Sequence, residues 1–225
     1  MPGAVLPSAI AITADGHYGY ISDFTMSAST PQIYKFDLTT LDHVGSFQAG
    51  YMTHDIKITS DGKVVIACNM HSDNLTLIYP DADSVTFVAM NEGLPMDAMM
   101  CGPYGLVIDH RDSLCFVACM ESLQMRVFDI AARTMVDMID IPVDTTGKIL
   151  AGPTLLAVSP DNDVVWITPQ SGNSVVAVRL STRQIIADIP LATSGPFGIT
   201  MSGDGSRVYV ACAGNFGESG KIYVI

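Results

Sequence analysis

Apolar residues along the chain recur in short runs separated by turn residues, and this pattern repeats five times. Five segments align without gaps: PSAIAITADGHYGYISD (7–23), THDIKITSDGKVVIACN (53–69), PYGLVIDHRDSLCFVAC (103–119), PTLLAVSPDNDVVWITP (153–169) and PFGITMSGDGSRVYVAC (196–212). The fourth position of each segment is apolar: Ile10, Ile56, Leu106, Leu156 and Ile199. The intervals of 46, 50, 50 and 43 residues indicate a chain of similar supersecondary units.

Each unit predicts four short antiparallel strands. A first apolar strand, such as 9–13, is followed by a turn such as Asp15-Gly16, whose residues tolerate the positive φ of a two-residue hairpin. The second strand is rich in β-branched and aromatic residues, as at 207–211. Third strands are predicted at 32–38, 75–79, 125–130 and 175–180, and fourth strands at 43–47, 85–89, 135–141 and 184–189. Helical periodicity is nearly absent.

Four-stranded antiparallel units at regular spacing predict a radial arrangement, because repetition around an axis protects sheet edges. The repeated pattern P-x-G-I-x-x-[ST]-x-D-G-x-x-V-Y-V-A resembles the YVTN, or surface-layer, β-propeller repeat. The segment GPFGITMSGDGSRVYVACAG (195–214) is nearly a consensus copy, and the resemblance covers almost the whole chain. Similar repeats occur in surface-layer proteins, amine dehydrogenase large subunits, lactonase-like enzymes and the propeller of nitrous oxide reductase. The resemblance therefore implies a fold but no single function.

The expected fold class is an all-β propeller in one domain, 1–225. Its predicted blades span 6–50, 51–100, 101–150, 151–194 and 195–225. The fifth unit ends after its third strand, and residues 2–6 are the candidate for completing it. Three arrangements stay open: five blades closed by that strand, part of a larger ring, or two chains that share one ring. The resemblance implies that the first strand of each blade lies nearest the axis.

The charge balance excludes some classes of partner. The chain has 11 basic and 23 acidic residues, a formal net charge of −12, and therefore repels nucleic-acid phosphates and anionic membrane surfaces. No apolar run approaches the roughly 18 residues of a membrane span. The N-terminus lacks the basic region and apolar core of a signal peptide. Localisation outside the cytoplasm is implied by the family resemblance alone.

Functional groups of a propeller are expected at one mouth of its central channel. Two repeat positions are predicted to face that mouth. The start of the first strand contributes Ser8, His54, Tyr104, Thr154 and Phe197, and the end of the second strand contributes Asp23, Asn69, Cys119, Pro169 and Cys212. The candidate residues from this set, with His71 beside it, are Asp23, His54, Asn69, His71, Tyr104, Cys119, Thr154 and Cys212.

A metal site is only a weak alternative. The side chains of His54, His71, Cys119 and Cys212 suit copper or zinc by type, but no C-x-x-C or H-x-x-x-H spacing is present. We therefore predict no cofactor and interpret the cysteines as small buried residues with free thiols. The acidic turns are interpreted as hairpins rather than calcium loops.

Two further signals have structural interpretations that we prefer. The methionine-rich run 94–105, which includes Met96, is interpreted as a loop covering a blade, with partner docking or soft-metal binding as the alternative. The carboxylates of Asp23 and Asp55 suggest a glycosidase pair, but the single Trp166 argues against a sugar cleft.

Three functions from different classes follow. The first, which we favour, is a non-catalytic binding or assembly module that presents the mouth or an outer face to a protein partner or small ligand. The second is an enzyme or enzyme subunit resembling the amine dehydrogenase and lactonase propellers, with His54, His71, Asp23 and Tyr104 at its site. The third is a redox propeller that carries a transition metal.

Overall fold

The computed structural model describes residues 6–26, 30–92, 95, 99–142, 152–170, 172–193, 195–214 and 219–225. The chain divides into two compact units, Met1–Ile108 and Asp109–Ile225. Most of the predicted closing strand at 2–6, and Met96, lie outside the described residues. The single domain and its blade boundaries stay predictions.

The described residues form nineteen strands and one 3-10 turn, Pro80–Ala82, with no α-helix among them. The first two sheets contain β1 (Pro7–Ile12), β2 (Tyr18–Asp23), β3 (Gln32–Asp37), β4 (His43–Gln48), and β5 (Thr53–Ile58), β6 (Val65–Asn69), β7 (Asn74–Tyr79), β8 (Ser84–Ala89). The third contains β9 (Pro103–Ile108), β10 (Leu114–Cys119), β11 (Gln124–Asp129), β12 (Thr134–Asp140), and the fourth β13 (Pro153–Val158), β14 (Val164–Pro169), β15 (Ser174–Arg179), β16 (Gln184–Pro190). The last contains β17 (Pro196–Met201), β18 (Val208–Cys212) and β19 (Lys221–Val224).

Every sheet is a meander in which strands that follow each other in the chain are neighbours. Four sheets have four strands and the fifth has three among the described residues. The all-β class and the four-stranded antiparallel units predicted from the sequence are thereby confirmed. None of the described segments forms a helix with the length and apolarity that a membrane crossing requires.

An aspartate side chain stabilises the hairpin between the first and second strands of a sheet, and this arrangement recurs along the chain. In the first sheet, Asp15 accepts hydrogen bonds from the Thr13 hydroxyl (2.6 Å) and from the His17 amide (2.9 Å). The Gly16 amide donates to the Thr13 carbonyl, and Gly16 has a φ of +74°. Asp61, Asp161 and Asp204 repeat this arrangement.

This geometry corrects one detail of the sequence analysis. The loop is a four-residue turn, 13–16, whose last residue is left-handed, and it is not a two-residue hairpin. The hairpin closes between Thr13 and Tyr18, and Gly16 is the only residue of 13–18 with positive φ. The carboxylates cap backbone amides, which agrees with the hairpin interpretation of the acidic turns.

The first strands of successive sheets lie against one another inside each unit. In the first unit β5 contacts both β1 and β9, and in the second β13 contacts β17. The cores form where one sheet faces the next. Ile33 and Phe47 of the first sheet pack against Ile56 and Val65 of the second, and Val175 of the fourth sheet packs against Val210 of the fifth.

A β-bulge recurs at the start of the first strand. Pro7, Thr53, Pro153 and Pro196 lie opposite Asp23, Asn69, Pro169 and Cys212, and the register then shifts. Extra residues on one strand bend it and turn their side chains in new directions. Ser8, His54, Thr154 and Phe197 all fall within these shifts.

Candidate binding site

The bulge of β5 determines the position of His54. The Ser22 hydroxyl of the preceding sheet donates to the Ala9 carbonyl oxygen at 3.2 Å and lies 3.5 Å from the His54 carbonyl oxygen. The same hydroxyl accepts a 3.0 Å hydrogen bond from the Ala9 amide in the bulge of β1. One small buried side chain is therefore bonded to the bulge of β1 and contacts the backbone that carries His54 in the next sheet.

Three rings converge at this end of the strands. The rings of His54 and Tyr104 are stacked, with centroids 3.6 Å apart and an interplanar angle of 31°. Phe24, just after β2, presents an edge-to-face contact to His54 at 5.5 Å and 88°. All three residues are half-buried. We call Phe24, His54 and Tyr104 the aromatic platform.

Burial sets the protonation of the platform. It lowers the pKa of His54, and the adjacent Asp55 carboxylate acts in the opposite direction. Burial also raises the pKa of the Tyr104 hydroxyl. The imidazole is therefore neutral at neutral pH and the phenol is protonated, so that the platform presents uncharged aromatic surface.

Asp55 lies next to the platform but serves the fold. Its carboxylate accepts hydrogen bonds from the Ile56 amide (2.8 Å), from the Lys57 ammonium (2.6 Å) and from the Leu106 amide (3.0 Å). The last bond connects β5 with β9. The Asp55 side chain is 8% exposed and has these three donors, and this environment is that of a structural carboxylate.

Asn69 is fully buried, and its amide is used inside the second sheet. Its oxygen accepts a hydrogen bond from the Thr53 hydroxyl (2.8 Å), while its nitrogen donates to Asn74 (2.6 Å) and Thr76 (2.7 Å). A Cβ on Gly50 would lie 2.6 Å from the Asn69 Cβ, so that glycine permits the close approach. Asp23 is also buried and accepts a 2.8 Å bond from the Leu6 amide.

The second unit uses its equivalent positions in the same structural way. The Thr154 hydroxyl donates to the Thr168 carbonyl at 2.9 Å, and Thr154 is fully buried. The Thr168 hydroxyl donates to the Phe197 carbonyl at 2.9 Å, at the position where Ser22 makes its longer contact of 3.5 Å with the His54 carbonyl. Cys212 is a buried free thiol whose pKa is raised by burial.

The cysteines differ in part from expectation. Cys68, Cys115 and Cys212 are outside any disulfide, as expected, but Cys101 and Cys119 are disulfide-bonded. The prediction of a free thiol at Cys119 is therefore wrong. A disulfide sulfur is no longer the thiolate that binds a metal, so Cys119 is removed from the candidate metal ligands. No cysteine spacing motif indicates a disulfide at Cys119.

His71, the remaining histidine candidate, is exposed and lies apart from the core. Its backbone amide donates to the Tyr51 carbonyl at 3.3 Å. Within the described part of the chain, no group of three or more His, Cys, Asp or Glu side chains is arranged to hold a metal ion. The sequence reasoning missed Phe24 because it follows the repeat segment, and it missed Ser22 because its hydroxyl acts across two sheets.

A cavity of about 320 Å³ lies at the opposite, hairpin end of the first two sheets. The Lys35 ammonium lies 4.0 Å from the centroid of the Tyr18 ring inside it, and Asp15, Asp61 and Asp81 contribute to its lining. The protein's own lysine thus occupies the face of Tyr18.

Comparison with known families gives a partial match. A family described as "Lactonase, 7-bladed beta-propeller" matches residues 1–102, which is less than half of the 225-residue chain. A search of curated proteins found no match.

Two solved structures are similar in fold. Hydrazine synthase of Kuenenia stuttgartiensis superposes with a TM-score of 0.77 at 17% identity, over 100% of this chain and 65% of that chain. Virginiamycin B lyase from Staphylococcus aureus superposes with a TM-score of 0.69 at 16% identity, over 97% of this chain and 69% of that one. The present chain therefore spans just under two thirds of the hydrazine synthase chain. The sheets, the family match and these similarities together show that the chain has a β-propeller fold.

Proposed function

We propose that the chain is a non-catalytic binding module, which presents the aromatic platform to a planar group of a small ligand or protein partner. The observation that carries this proposal is the stacked pair of His54 and Tyr104, half-exposed at the strand ends with Phe24 against its edge. Large rings that are already fixed by packing lose little conformational freedom when a second planar group stacks on them.

The polar groups around the platform favour binding over catalysis. Asn69 and Asp55 both direct their side-chain hydrogen bonds to the protein itself. These side chains hold the strand ends in place through their hydrogen bonds. If they turned away to act on a substrate, the buried donors to which they are bonded would be left unsatisfied. The platform is the part of the site that remains to contact a ligand.

Indole is a suitable probe because it offers a planar face and one N–H donor. We expect ligand-observed NMR to detect its binding to the wild type, and the variant Tyr104→Ala to bind it up to about tenfold more weakly, because an aromatic pair contributes about 0.5–1.5 kcal/mol. His71→Ala is the matched control, because His71 is exposed and outside the platform. Equal binding by wild type and Tyr104→Ala would refute the proposal.

A second candidate function is lactone hydrolysis. It is favoured by the lactonase family match over residues 1–102 and by the lowered pKa of His54, because a neutral imidazole can accept a proton from an attacking water. The test measures acid release from δ-gluconolactone by the wild type, His54→Ala and His71→Ala. Hydrolysis that disappears only in His54→Ala would establish the enzyme and replace the non-catalytic proposal.

We also propose that the protein functions outside the cytoplasm. The disulfide-bonded Cys101 and Cys119 support this, because structural disulfides persist mainly in oxidising compartments. The family resemblance favours the same location. Fractionation of the native source should recover the protein outside the cytoplasm, and recovery with all five cysteines reduced would oppose the proposal.

A further inference from the structure

A second cavity, with a volume of about 360 Å³, lies at the hairpin end of the third and fourth sheets. Two arginines, Arg111 and Arg183, line it, and Leu114 and Leu180 give it a half-buried apolar wall. Its other lining residues are Asp109, Phe116, Asp161, Asn162, Asp163 and Ser181. We call this space the arginine cavity. Its size suits a small ligand.

Arg111 is exposed and occupies a turn position that is an aspartate in the other four repeats. The aligned residues, whose carboxylates accept hydrogen bonds from turn amides, are Asp15, Asp61, Asp161 and Asp204. In the third repeat this role belongs to Asp109, whose carboxylate accepts from the Ser113 amide at 2.7 Å and from the Leu114 amide at 2.9 Å. Because Asp109 stabilises the turn, position 111 is available for a guanidinium group.

The arginine cavity differs in charge from its equivalent between the first two sheets. The carboxylates that line the equivalent cavity are those of Asp15, Asp61 and Asp81. Arg111 aligns with the first of these residues, and Ser181 aligns with the third. The lysine of that cavity has no counterpart here, because Lys35 aligns with Val127, which is fully buried. The arginine cavity therefore has fewer carboxylates at these positions and takes its positive charge from turns.

Arg183 is held at one edge of its guanidinium group. Its Nε lies 3.3 Å from a carboxylate oxygen of Asp137 on β12. Its side chain is 32% exposed, while Nη1 is buried and has no hydrogen-bond partner among the described residues. A buried donor without an acceptor is unfavourable, and a carboxylate suits a guanidinium because two parallel N–H···O bonds can form. A carboxylate that enters the cavity and contacts Arg183 can give this nitrogen an acceptor.

The carboxylates of the lining limit the charge that a ligand can carry. Asp109 is buried and bonded to the turn amides. Asp161 accepts a hydrogen bond from the Ser159 hydroxyl at 2.5 Å, and an oxygen of Asp163 lies 3.4 Å from Nε of Arg179. These contacts engage the carboxylates but leave negative charge near the cavity. That charge repels a doubly charged phosphate more than a singly charged carboxylate.

We propose that the arginine cavity binds a small organic molecule that has one carboxylate group and an apolar body. The carboxylate contacts Arg111 and Arg183, and the apolar body packs against the two leucines of the wall. The Asn162 side chain accepts a 3.0 Å hydrogen bond from the His110 amide and so connects the two hairpins that border the cavity. This site shares no residue with the aromatic platform and is independent of the function proposed for it.

Cyclohexanecarboxylate is a suitable probe, because it has one carboxylate and a non-planar ring that is unsuited to stacking on the aromatic platform. Isothermal titration calorimetry on the purified full chain measures its binding, with cyclohexylmethanol as the uncharged analogue. We expect the alcohol to bind at least about tenfold more weakly than the acid, because hydrogen bonds to charged groups are the stronger ones. Inorganic phosphate should also bind more weakly. Equal binding of the alcohol or of phosphate, or no binding of the acid, overturns the proposal.

Two substitutions test the arginines themselves. Arg111→Asp introduces the residue of the other four repeats, so the turn still forms, and Arg183→Gln removes the second guanidinium. Each variant should bind the acid at least about tenfold more weakly than the wild type, with far-UV circular dichroism confirming its fold. Arg207→Asp is the matched control, because Arg207 is exposed just before β18 and outside the cavity, and it should bind like the wild type.

Backbone NMR with the same acid separates this site from the aromatic platform. Shift changes should concentrate at Arg111 and Arg183, while the residues of the platform stay unchanged. Shift changes at the platform instead, or an affinity that Arg111→Asp and Arg183→Gln leave unchanged, would overturn the proposal. A loss of affinity in Arg207→Asp equal to that in Arg111→Asp would overturn it as well, because the effect would then reflect overall charge.

Discussion

Replacing Asn69 with alanine removes three side-chain hydrogen bonds from the interior of the second sheet. The carboxamide accepts from Thr53 at 2.8 Å and donates to Asn74 and Thr76 at 2.6 and 2.7 Å. Each such bond contributes about 0.5–1.5 kcal/mol net, and a buried group that loses its partner costs about 1–3 kcal/mol. Because Thr53 keeps a second acceptor in the Gly50 carbonyl, we expect a total loss of about 2–4 kcal/mol.

Urea unfolding followed by far-UV circular dichroism measures this loss. Ser84→Ala is the control in the same sheet, because Ser84 is exposed on β8 and its substitution should change stability by less than about 0.5 kcal/mol. If Asn69→Ala is as stable as the control, the asparagine does not hold the strand ends together. Asn69 would then regain its place as a candidate ligand contact, and the structural role assigned to it would be refuted.

Three further predictions concern charge, sulfur and close packing. The Lys63 amide for Asp61 and the Ser202 hydroxyl for Asp204 are the main donors that lower the pKa of these carboxyls to about 2 from 3.8, so their contribution to stability is complete above about pH 4 and is lost toward pH 2. A melting temperature independent of pH in that window would contradict this. Denatured, unreduced protein should expose three alkylatable thiols and reduced protein five, as counted by mass spectrometry, and five before reduction would exclude the disulfide. Gly152→Ala would bring Cβ into overlap with the Met120 carbonyl oxygen and should destabilise the protein by about 1–3 kcal/mol, whereas Gly203→Ala, with open space around it, should change stability much less. Equal losses would exclude the close approach.

The repeat made the sheets predictable from sequence. Alternating apolar positions and the aspartate-containing turns fixed the strand order, because both depend on local chemistry repeated at a regular interval. The burial of the fourth repeat position also followed at Ile56, Leu106 and Leu156, whereas Ile199 is only partly buried and Ile10 is exposed.

The site was less predictable because its geometry depends on contacts between sheets. The bulge displaces His54 from the register that a simple alignment gives it, and the stacking with Tyr104 joins residues of two successive repeats. Phe24 lies just beyond the repeat segment, so its contact with His54 has no counterpart in the pattern. The disulfide state of Cys119 was mistaken because its segment alone carries no information about a distant thiol.

The most direct test of the central claim is a backbone NMR titration of the wild type with indole. The proposal predicts shift changes concentrated at Phe24, His54 and Tyr104, the residues of the aromatic platform. Changes concentrated instead at Asp15 and Asp61, beside the hairpin cavity, would contradict it and place binding at the other end of the strands.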